Sequence, residues 1–291
     1  MSDQFAFLKS QPFIRIKNED AVKAKISSIH AKGTSSLHVI SDFDMTMTKF
    51  WHNGARSPST HAVLTRSHRV SDEFRKKTDE LYKKYYPMEI STTLSFEEKY
   101  KAMEEWWTLA HERITHLKLS RADLHDIVAK TEAPVVFRDG VFDVVKVCHQ
   151  LDMPFLVFSA GIYDVIKEIL EQNSLKLPNV HIVSNRMKFD AQDVCVGFED
   201  PLIHTFNKNE SGVHGAPYQA AIESRPNVIL MGDSLGDLNM KDGVAHDTSL
   251  TIGFLNHDTD TYLQKYLDAF DVVVLDDSPM AFVAEFLRML K

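Results

Sequence analysis

The chain has 291 residues, 44% of them hydrophobic and 25% charged, enough apolar material for a large core with a smaller second module and too much for global disorder. The formal net charge of -8 argues against broad binding to polymeric nucleic acid or to a membrane surface. Only Cys148 and Cys195 occur, the opening MSDQFAFLKSQPFIRIKNED has no continuous apolar signal core, and no run approaches a membrane span; the expectation is a soluble cytoplasmic protein without disulfides. Nothing in the sequence sets an oligomeric state, and a monomer is the default expectation.

Val22 to Ile29 suits an initial helix. The first core strand then runs through His38-Val39-Ile40 and ends near Ser41. NGARSPST reads as a loop. Asp72 to Tyr86, with Phe74, Leu81, Tyr82 and Tyr85 among dense charge, has the pattern of an amphipathic helix. Phe96 to His116 and Asp123 to Lys130 read as two more, so residues 50–134 are expected to form a mostly helical insertion after the first catalytic strand. Short apolar strands follow at Pro154 to Gly161, from His181 in HIVSN, at Asn227 to Asp233 and at Asp271 to Asp277. Helical segments, among them Val165 to Gln172 and Ala281 to Leu290, accompany them. This alternation predicts an α/β fold with a mainly parallel sheet, whose ligands collect beyond the carboxyl ends of the strands.

The run HVISDFDMTMTKF, His38 to Phe50, carries the strongest chemical signal. Asp42 and Asp44 stand one residue apart at the end of a strand, which in extended backbone puts both carboxyls on one side. Two close carboxylates repel unless a cation, a proton or separate roles divide them. Division of labour at a magnesium ion answers this, with Asp42 attacking phosphorus and Asp44 managing the proton. Ser159-Ala160-Gly161 follows an apolar strand, where the Ser159 hydroxyl and nearby amides can hold phosphate oxygens; taken alone, such a turn is as compatible with a structural role. Lys208, in IHTFNKNE, can neutralise a phosphoryl oxygen and a nucleophilic carboxylate, although a lone lysine is more often a solvated charge. In ILMGDSLGDLNM, Gly232 permits a tight exit from a strand, and Asp233 and Asp237 lie four positions apart. Asp233 can ligate magnesium, while Asp237 can orient metal-bound water or Lys208.

In their order and their relation to strand ends, DFDMT, the Ser159 turn, the Lys208 segment and GDSLGD resemble the haloacid-dehalogenase-like phosphatase superfamily. SDFDMT, KYYPMEI, the EEKY to EEWW segment, FSAGI, SNRMKFD, FNKNE, GDSLGD and IGFLN extend the resemblance to the eukaryotic pyrimidine/cytosolic 5'-nucleotidase type three family, over about residues 11–291. The resemblance implies a Rossmannoid catalytic core of residues 1–49 and 135–291 and a recognition cap of residues 50–134. It implies Asp42 as nucleophile and Asp44 as general acid/base. Magnesium is expected on the Asp42 and Asp233 carboxylates and the Asp44 main-chain carbonyl. Ser159, Ala160 and Lys208 are expected at the phosphoryl group, with Thr46 and Asp237 in support.

In the cap, the resemblance implies Glu89 as the residue that reads the base edge and Trp107 as the base-stacking face. Met103, one turn before Trp107, is an expected apolar wall, though some relatives carry histidine there. A tryptophan at this position resembles the family form that prefers 7-methylguanosine monophosphate; pyrimidine-preferring forms carry tyrosine. N7 methylation makes the base cationic, and a tryptophan face attracts a cation by roughly 0.5–2 kcal/mol. The implied activity is magnesium-dependent hydrolysis of 7-methylguanosine 5'-monophosphate, with CMP also accepted. The competing readings are a broad sugar-phosphate or phosphoserine phosphatase, a nucleoside phosphotransferase and a non-catalytic phosphate-binding protein. No RNA-binding module is recognisable, so a free nucleotide is the expected partner.

Overall fold

The computed structural model describes residues 2–91, 93–131, 134–209 and 217–291. Eleven strands form among these: β1 (Ile14–Arg15), β2 (Leu37–Ser41), β3 (Trp51–His52), β4 (Ala55–Arg56), β5 (Phe155–Ile162), β6 (Val180–Asn185), β7 (Met187–Phe189), β8 (Cys195–Phe198), β9 (Asn227–Gly232), β10 (Thr248–Leu255) and β11 (Val272–Leu275). Seven of them make one sheet in the order β1-β11-β10-β9-β2-β5-β6. Only the edge pairing of β1 with β11 is antiparallel.

The central strands β2 and β9 are buried along their whole length, as a parallel sheet covered on both faces requires. Alternate residues divide between the two faces. Val39, Phe155, Val157 and Ile229 join a cluster with Ile26, Val144, Ile166 and Phe286; Ile40, Leu156, Phe158 and Leu230 join a second with Tyr218, Met240 and Phe270. Helices Glu19–Lys32, Val141–Gln150, Tyr163–Gln172 and Ala281–Arg288 supply the covering residues of the larger cluster.

The inserted segment leaves the core after Lys49 and returns before Arg138. Its two ends run antiparallel, with Lys49 N–H donating to Val136 O at 2.8 Å and Arg138 N–H to Met47 O at 2.8 Å. Between them lie the β3–β4 hairpin and helices Thr60–Thr65, Asp72–Ile90, Phe96–His116 and Arg121–Lys130. Serine starts each of the four helices: Ser59, Ser71, Ser95 and Ser120 accept from main-chain N–H groups of the first turn, and Ser95–Glu98 and Ser120–Asp123 complete reciprocal caps. Helix Asp72–Ile90 passes Pro87 and runs beyond the Tyr86 end expected from its pattern. Pro87 has no N–H to give to the carbonyl four residues before it, at Lys83, so the last turn continues with one helical hydrogen bond fewer.

Apolar packing divides the insertion more narrowly than its sequence bounds. Leu81, Tyr85, Ala102 and Met103 form a cluster of their own with Trp106 and Trp107 against it. Val63, Leu64, Ile114, Leu119, Leu124 and Ile127 instead join the larger core cluster. Helix Asp72–Ile90 and the first half of helix Phe96–His116 thus pack on each other, while the end of the latter helix, at Ile114, joins the core.

Candidate active site

β2, β5 and β9 are neighbours, and their carboxyl ends bring together DFDMT, the Ser159 turn and GDSLGD. Asp42 follows β2 and is anchored by its N–H donating to Met231 O of β9 at 2.9 Å. The chain then turns sharply, with Met45 at φ 65. The Asp44 carboxylate accepts from Thr60 N–H at 3.1 and 3.2 Å and from the Thr60 hydroxyl at 3.0 Å. Burial lifts its pKa to about 6, against the lowering effect of those hydrogen bonds. Gly161 makes room for this arrangement, since a Cβ there would stand 2.2 Å from Thr60 Oγ1.

Lys208 is 4% exposed and donates to Asp42 Oδ1 and, at 2.7 Å, to Asp237 Oδ1. Burial disfavours its charge, but Asp237 and Asp42 outweigh that and hold its pKa above the ordinary value. The second Asp237 oxygen accepts from Ser234 N–H and Oγ–H, both at 2.9 Å. Gly232 allows this close approach, because a Cβ would meet the Asp237 Cβ at 2.4 Å. With both oxygens engaged, Asp237 orients Lys208 and the GDSLGD turn.

Asp42, Asp233 and Asp237 place carboxylate oxygens within 4.8 Å of one another. Burial lifts Asp42 to about 7 against the pull of Lys208, and burial with the charges of Asp42 and Asp237 raises Asp233 well above the carboxylate range. Lys208 is the cation bonded within a crowded group of three carboxylates, Asp42 and Asp237 buried and Asp233 half-buried, with the Arg138 charge also reaching Asp233. An all-oxygen donor set of this kind fits a hard divalent cation such as Mg²⁺. The grouping includes two of the three expected ligands, Asp42 and Asp233. The Asp44 side chain turns to Thr60, leaving its main-chain carbonyl as the group the sequence reading assigned to the metal. The Thr46 hydroxyl is buried and has no hydrogen-bond partner among the described residues.

Ser159 is 2% exposed, and its hydroxyl accepts from Gly161 N–H at 3.0 Å. β5 continues to Ile162, further than the sequence pattern suggested, with its pairing to β6 shifted between Phe158 and Ile162. That irregularity frees the Ala160 carbonyl, which accepts from Trp107 Nε1–H at 2.8 Å and from Asn185 Nδ2–H at 2.9 Å. Glu89 Oε1 accepts from the Thr205 hydroxyl at 2.8 Å, three residues before Lys208. Burial raises the Glu89 pKa, and the field of Asp237 reaches it in the same direction. Both expected base-reading residues therefore reach from the insertion to the core, Trp107 to β5 at Ala160 and Glu89 to Thr205.

Met103 lies elsewhere than an open wall: it is 0% exposed, inside the insertion's apolar cluster beside Tyr85, so in this arrangement it supports Trp106 and Trp107 from behind. Trp106 stacks on Tyr85 with centroids 5.9 Å apart and planes at 14°, while Trp107 sits edge-on to it. Thr60, Thr205 and Asn185 were not singled out from the sequence; Ser59–Thr60 opening a helix was the signal for the first, and the others rest on loop geometry. A cavity of 340 Å³ lies between helix Phe96–His116 and the segment from β8 to Leu202, lined by residues including His111, His116 and Phe198, and none of Asp42, Asp44, Asp233 and Asp237 lines it.

Comparison with known proteins agrees with this geometry. Residues 45–291 match the family model Pyrimidine 5'-nucleotidase (UMPH-1), which begins just after Asp44. The 7-methylguanosine phosphate-specific 5'-nucleotidase of Gallus gallus is 42% identical over 278 residues, 95% of this chain and 96% of that protein. Among solved structures, cytosolic 5'-nucleotidase IIIB bound to cytidine superposes with a TM-score of 0.86 at 31% identity, covering 97% of this chain and 95% of that one. An HAD family hydrolase from Salmonella enterica shares the fold at a TM-score of 0.55 and 14% identity, over 88% of this chain and 73% of that one. The protein is accordingly a hydrolase of the 5'-nucleotidase type with an HAD-like α/β core and an inserted helical cap, and it belongs to the eukaryotic cytosolic 5'-nucleotidase III family.

Proposed function

We propose that the protein is a magnesium-dependent cytoplasmic 5'-nucleotidase that converts 7-methylguanosine 5'-monophosphate to nucleoside and phosphate, and that it also accepts CMP. The observation that carries the reading is the pair of hydrogen bonds between the insertion and the core, Trp107 to Ala160 beside Ser159 and Thr205, three residues before Lys208, to Glu89, which supports an aromatic side chain and a carboxylate as the base-reading groups. Similarity to the Gallus gallus enzyme favours the methylated purine, and the cytidine in the solved relative favours CMP as a second substrate. We take residues 50–134 as the recognition cap and the remainder as the catalytic core. Among the described residues no helix is long and apolar enough to cross a membrane.

In the first half-reaction an Asp42 oxygen attacks phosphorus and the bond to the 5'-oxygen breaks. Asp44, with a pKa near 6, donates its proton to the departing 5'-oxygen, giving nucleoside and an aspartyl-phosphate. In the second, water attacks phosphorus, Asp44 takes its proton, and the Asp42 carboxylate and phosphate are released. Lys208 holds Asp42 and screens the approaching phosphate; Ser159 and the amides of its turn hold phosphoryl oxygens, with Thr46 in support. A Mg²⁺ ion held by Asp42, Asp233 and the Asp44 carbonyl would lower charge repulsion at the phosphoryl group. Asp237 fixes Lys208, and Thr60 fixes Asp44 between its two proton transfers.

The test is phosphate release from 7-methyl-GMP, GMP, CMP, UMP and a sugar phosphate, with Mg²⁺ and with chelator. Preference for 7-methyl-GMP over GMP, abolished by chelation, is the expected result. Faster release from the sugar phosphate would overturn the nucleotide reading and leave a general phosphatase.

A further inference from the structure

IGFLN, Ile252 to Asn256, ends β10 one strand away from the catalytic strand β9, yet none of its side chains enters the carboxylate cluster. Its last residue, Asn256, is 5% exposed and grips the catalytic turn. Asn256 Nδ2–H donates to Met45 O at 3.0 Å, and Asn256 Oδ1 accepts from Arg138 Nη2–H at 2.8 Å. Arg138 is 1% exposed, the largest fully buried side chain described.

Four hydrogen bonds and one ion pair engage the Arg138 guanidinium. Nε–H donates to Thr46 O at 2.8 Å, and Nη2–H to Met45 O at 2.6 Å as well as to Asn256. Nη1–H donates to Ser278 O at 2.9 Å and pairs with Asp277 Oδ1 at 3.0 Å. A planar five-donor fork can meet this set; a lysine ammonium, with three donors on a point charge, cannot. Met45 O takes two donors at the residue whose φ of 65 lies in the left-handed region. This turn sets the direction of Asp44, the preceding residue. A non-glycine residue in that region persists where its surroundings over-determine it.

The same group reaches the hinge. Arg138 sits on the returning end of the insertion, and Asp277, following β11, accepts from Phe50 N–H at 2.9 Å and Trp51 N–H at 3.0 Å on the departing end. One buried ion pair thus ties both hinge segments to the turn between Asp42 and Thr46.

We propose that Arg138, Asn256 and Asp277 are positioning residues for the hydrolysis: a clamp that fixes the Met45 and Thr46 carbonyls, and through them Asp44, to the hinge that carries the cap. They act through the turn and touch no reacting atom. The proposal rests on the nucleotidase reading, and its test separates the two.

Asn256→Ala, Asp277→Asn and Arg138→Lys are made in the full chain, and kcat and KM for 7-methyl-GMP are measured with Mg²⁺ at a temperature where circular dichroism shows each variant folded. Misplacement of the acid on the scale of an ångström lowers rate by about 10²-fold. The expected result is a fall in kcat of that order for Asn256→Ala and Arg138→Lys, with KM within about twofold, because binding common to ground and transition states is untouched. Asp277→Asn is expected to lower kcat less, and the Asn256→Ala/Asp277→Asn double variant to lose less than the product of the single losses, since both act on one turn. Should Arg138→Lys not fold, Asn256→Ala, which removes no buried charge, decides. Folded Asn256→Ala with wild-type kcat, or a loss confined to KM, overturns the clamp. An inactive wild-type protein overturns the functional reading itself.

Discussion

Trp107 Nε1–H donates to the carbonyl oxygen of Ala160 at 2.8 Å, so the residue expected to stack on the base is bonded to the turn expected to hold the phosphate. Stacking and cap closure are two properties of one side chain, and they separate chemically. Trp107→Phe keeps an aromatic face and removes the N–H donor. A hydrogen bond of this kind contributes about 0.5–1.5 kcal/mol net, and phenylalanine is the weaker cation–π partner. The variant is expected to lose about 3–30-fold in kcat/KM for 7-methyl-GMP and less for CMP, whose base carries no charge. Steady-state kinetics on both substrates checks this; equal losses would remove the charged-base argument.

The Thr60 hydroxyl and N–H both donate to the Asp44 carboxylate. They favour its charged form and pull its pKa down from where burial alone would put it. Thr60→Val retains shape and the main-chain donor but loses the hydroxyl. The Asp44 pKa is then expected to rise above about 6. Because kcat/KM requires Asp44 protonated to expel the nucleoside, its alkaline decline moves to higher pH. Because dephosphorylation requires the same group as a base, turnover at neutral pH is expected to fall, by less than the roughly 10²-fold that outright loss of a general base would cost. A pH–rate profile for kcat and kcat/KM distinguishes this from a uniform loss, which would place Thr60 outside proton transfer.

How far the sequence could be read follows from how local each signal is. Asp42, Asp44, Asp233 and Asp237 stand beside strand ends, and two-residue and four-residue spacings suffice to group them. Helices such as Phe96–His116 announced themselves through a long amphipathic pattern. β10 went unread because TSLTIGFL is buried on both faces and shows no alternation, and helix Val141–Gln150 sits close to the limit of what a short apolar run resolves. Asn256, Arg138 and Asp277 meet across 139 positions of chain, from three loops, through carbonyl oxygens that every residue possesses. Met103 was placed by its helical phase to Trp107, which is correct as spacing; the cap's own packing turned that face inward.

Glu89 Oε1 accepts from Thr205, and the proposed reading gives its other oxygen to the base edge. Glu89→Gln preserves size and exchanges a charged acceptor for an amide. Hydrogen bonds to charged groups contribute about 1.5–3 kcal/mol, so discrimination for 7-methyl-GMP over GMP is expected to fall by roughly 10–100-fold, chiefly through KM. Competition kinetics with the two nucleotides measures the ratio directly. An unchanged ratio would assign Glu89 to cap closure alone.

The aspartate cluster also predicts how the metal-free protein responds to pH. Burial raises the Asp42 pKa from 3.8 to about 7 in the folded state. Its contribution to stability is therefore fully present below the unfolded value and is lost as pH rises through about 7. Buried His38, His61, His111 and His204 work in the opposite sense: burial depresses them to about 3 or 4, so their contribution is present above 6.5 and lost as pH falls. Wild-type melting alone would mix the two. Asp42→Asn leaves the histidines in place and removes the carboxylate, which also relieves Asp233 of a neighbouring charge. In chelator, the melting temperature of Asp42→Asn minus that of wild type is expected to be smallest near pH 4–5 and to grow more positive toward pH 8. The same variant should lose turnover by about 10³-fold or more, as removal of a nucleophile does. Adding Mg²⁺ at pH 8 should raise the wild-type melting temperature more than that of the variant, because the cation takes over the charge that the substitution deletes. A stability difference that is flat across pH would place the strain in the cluster elsewhere than on Asp42.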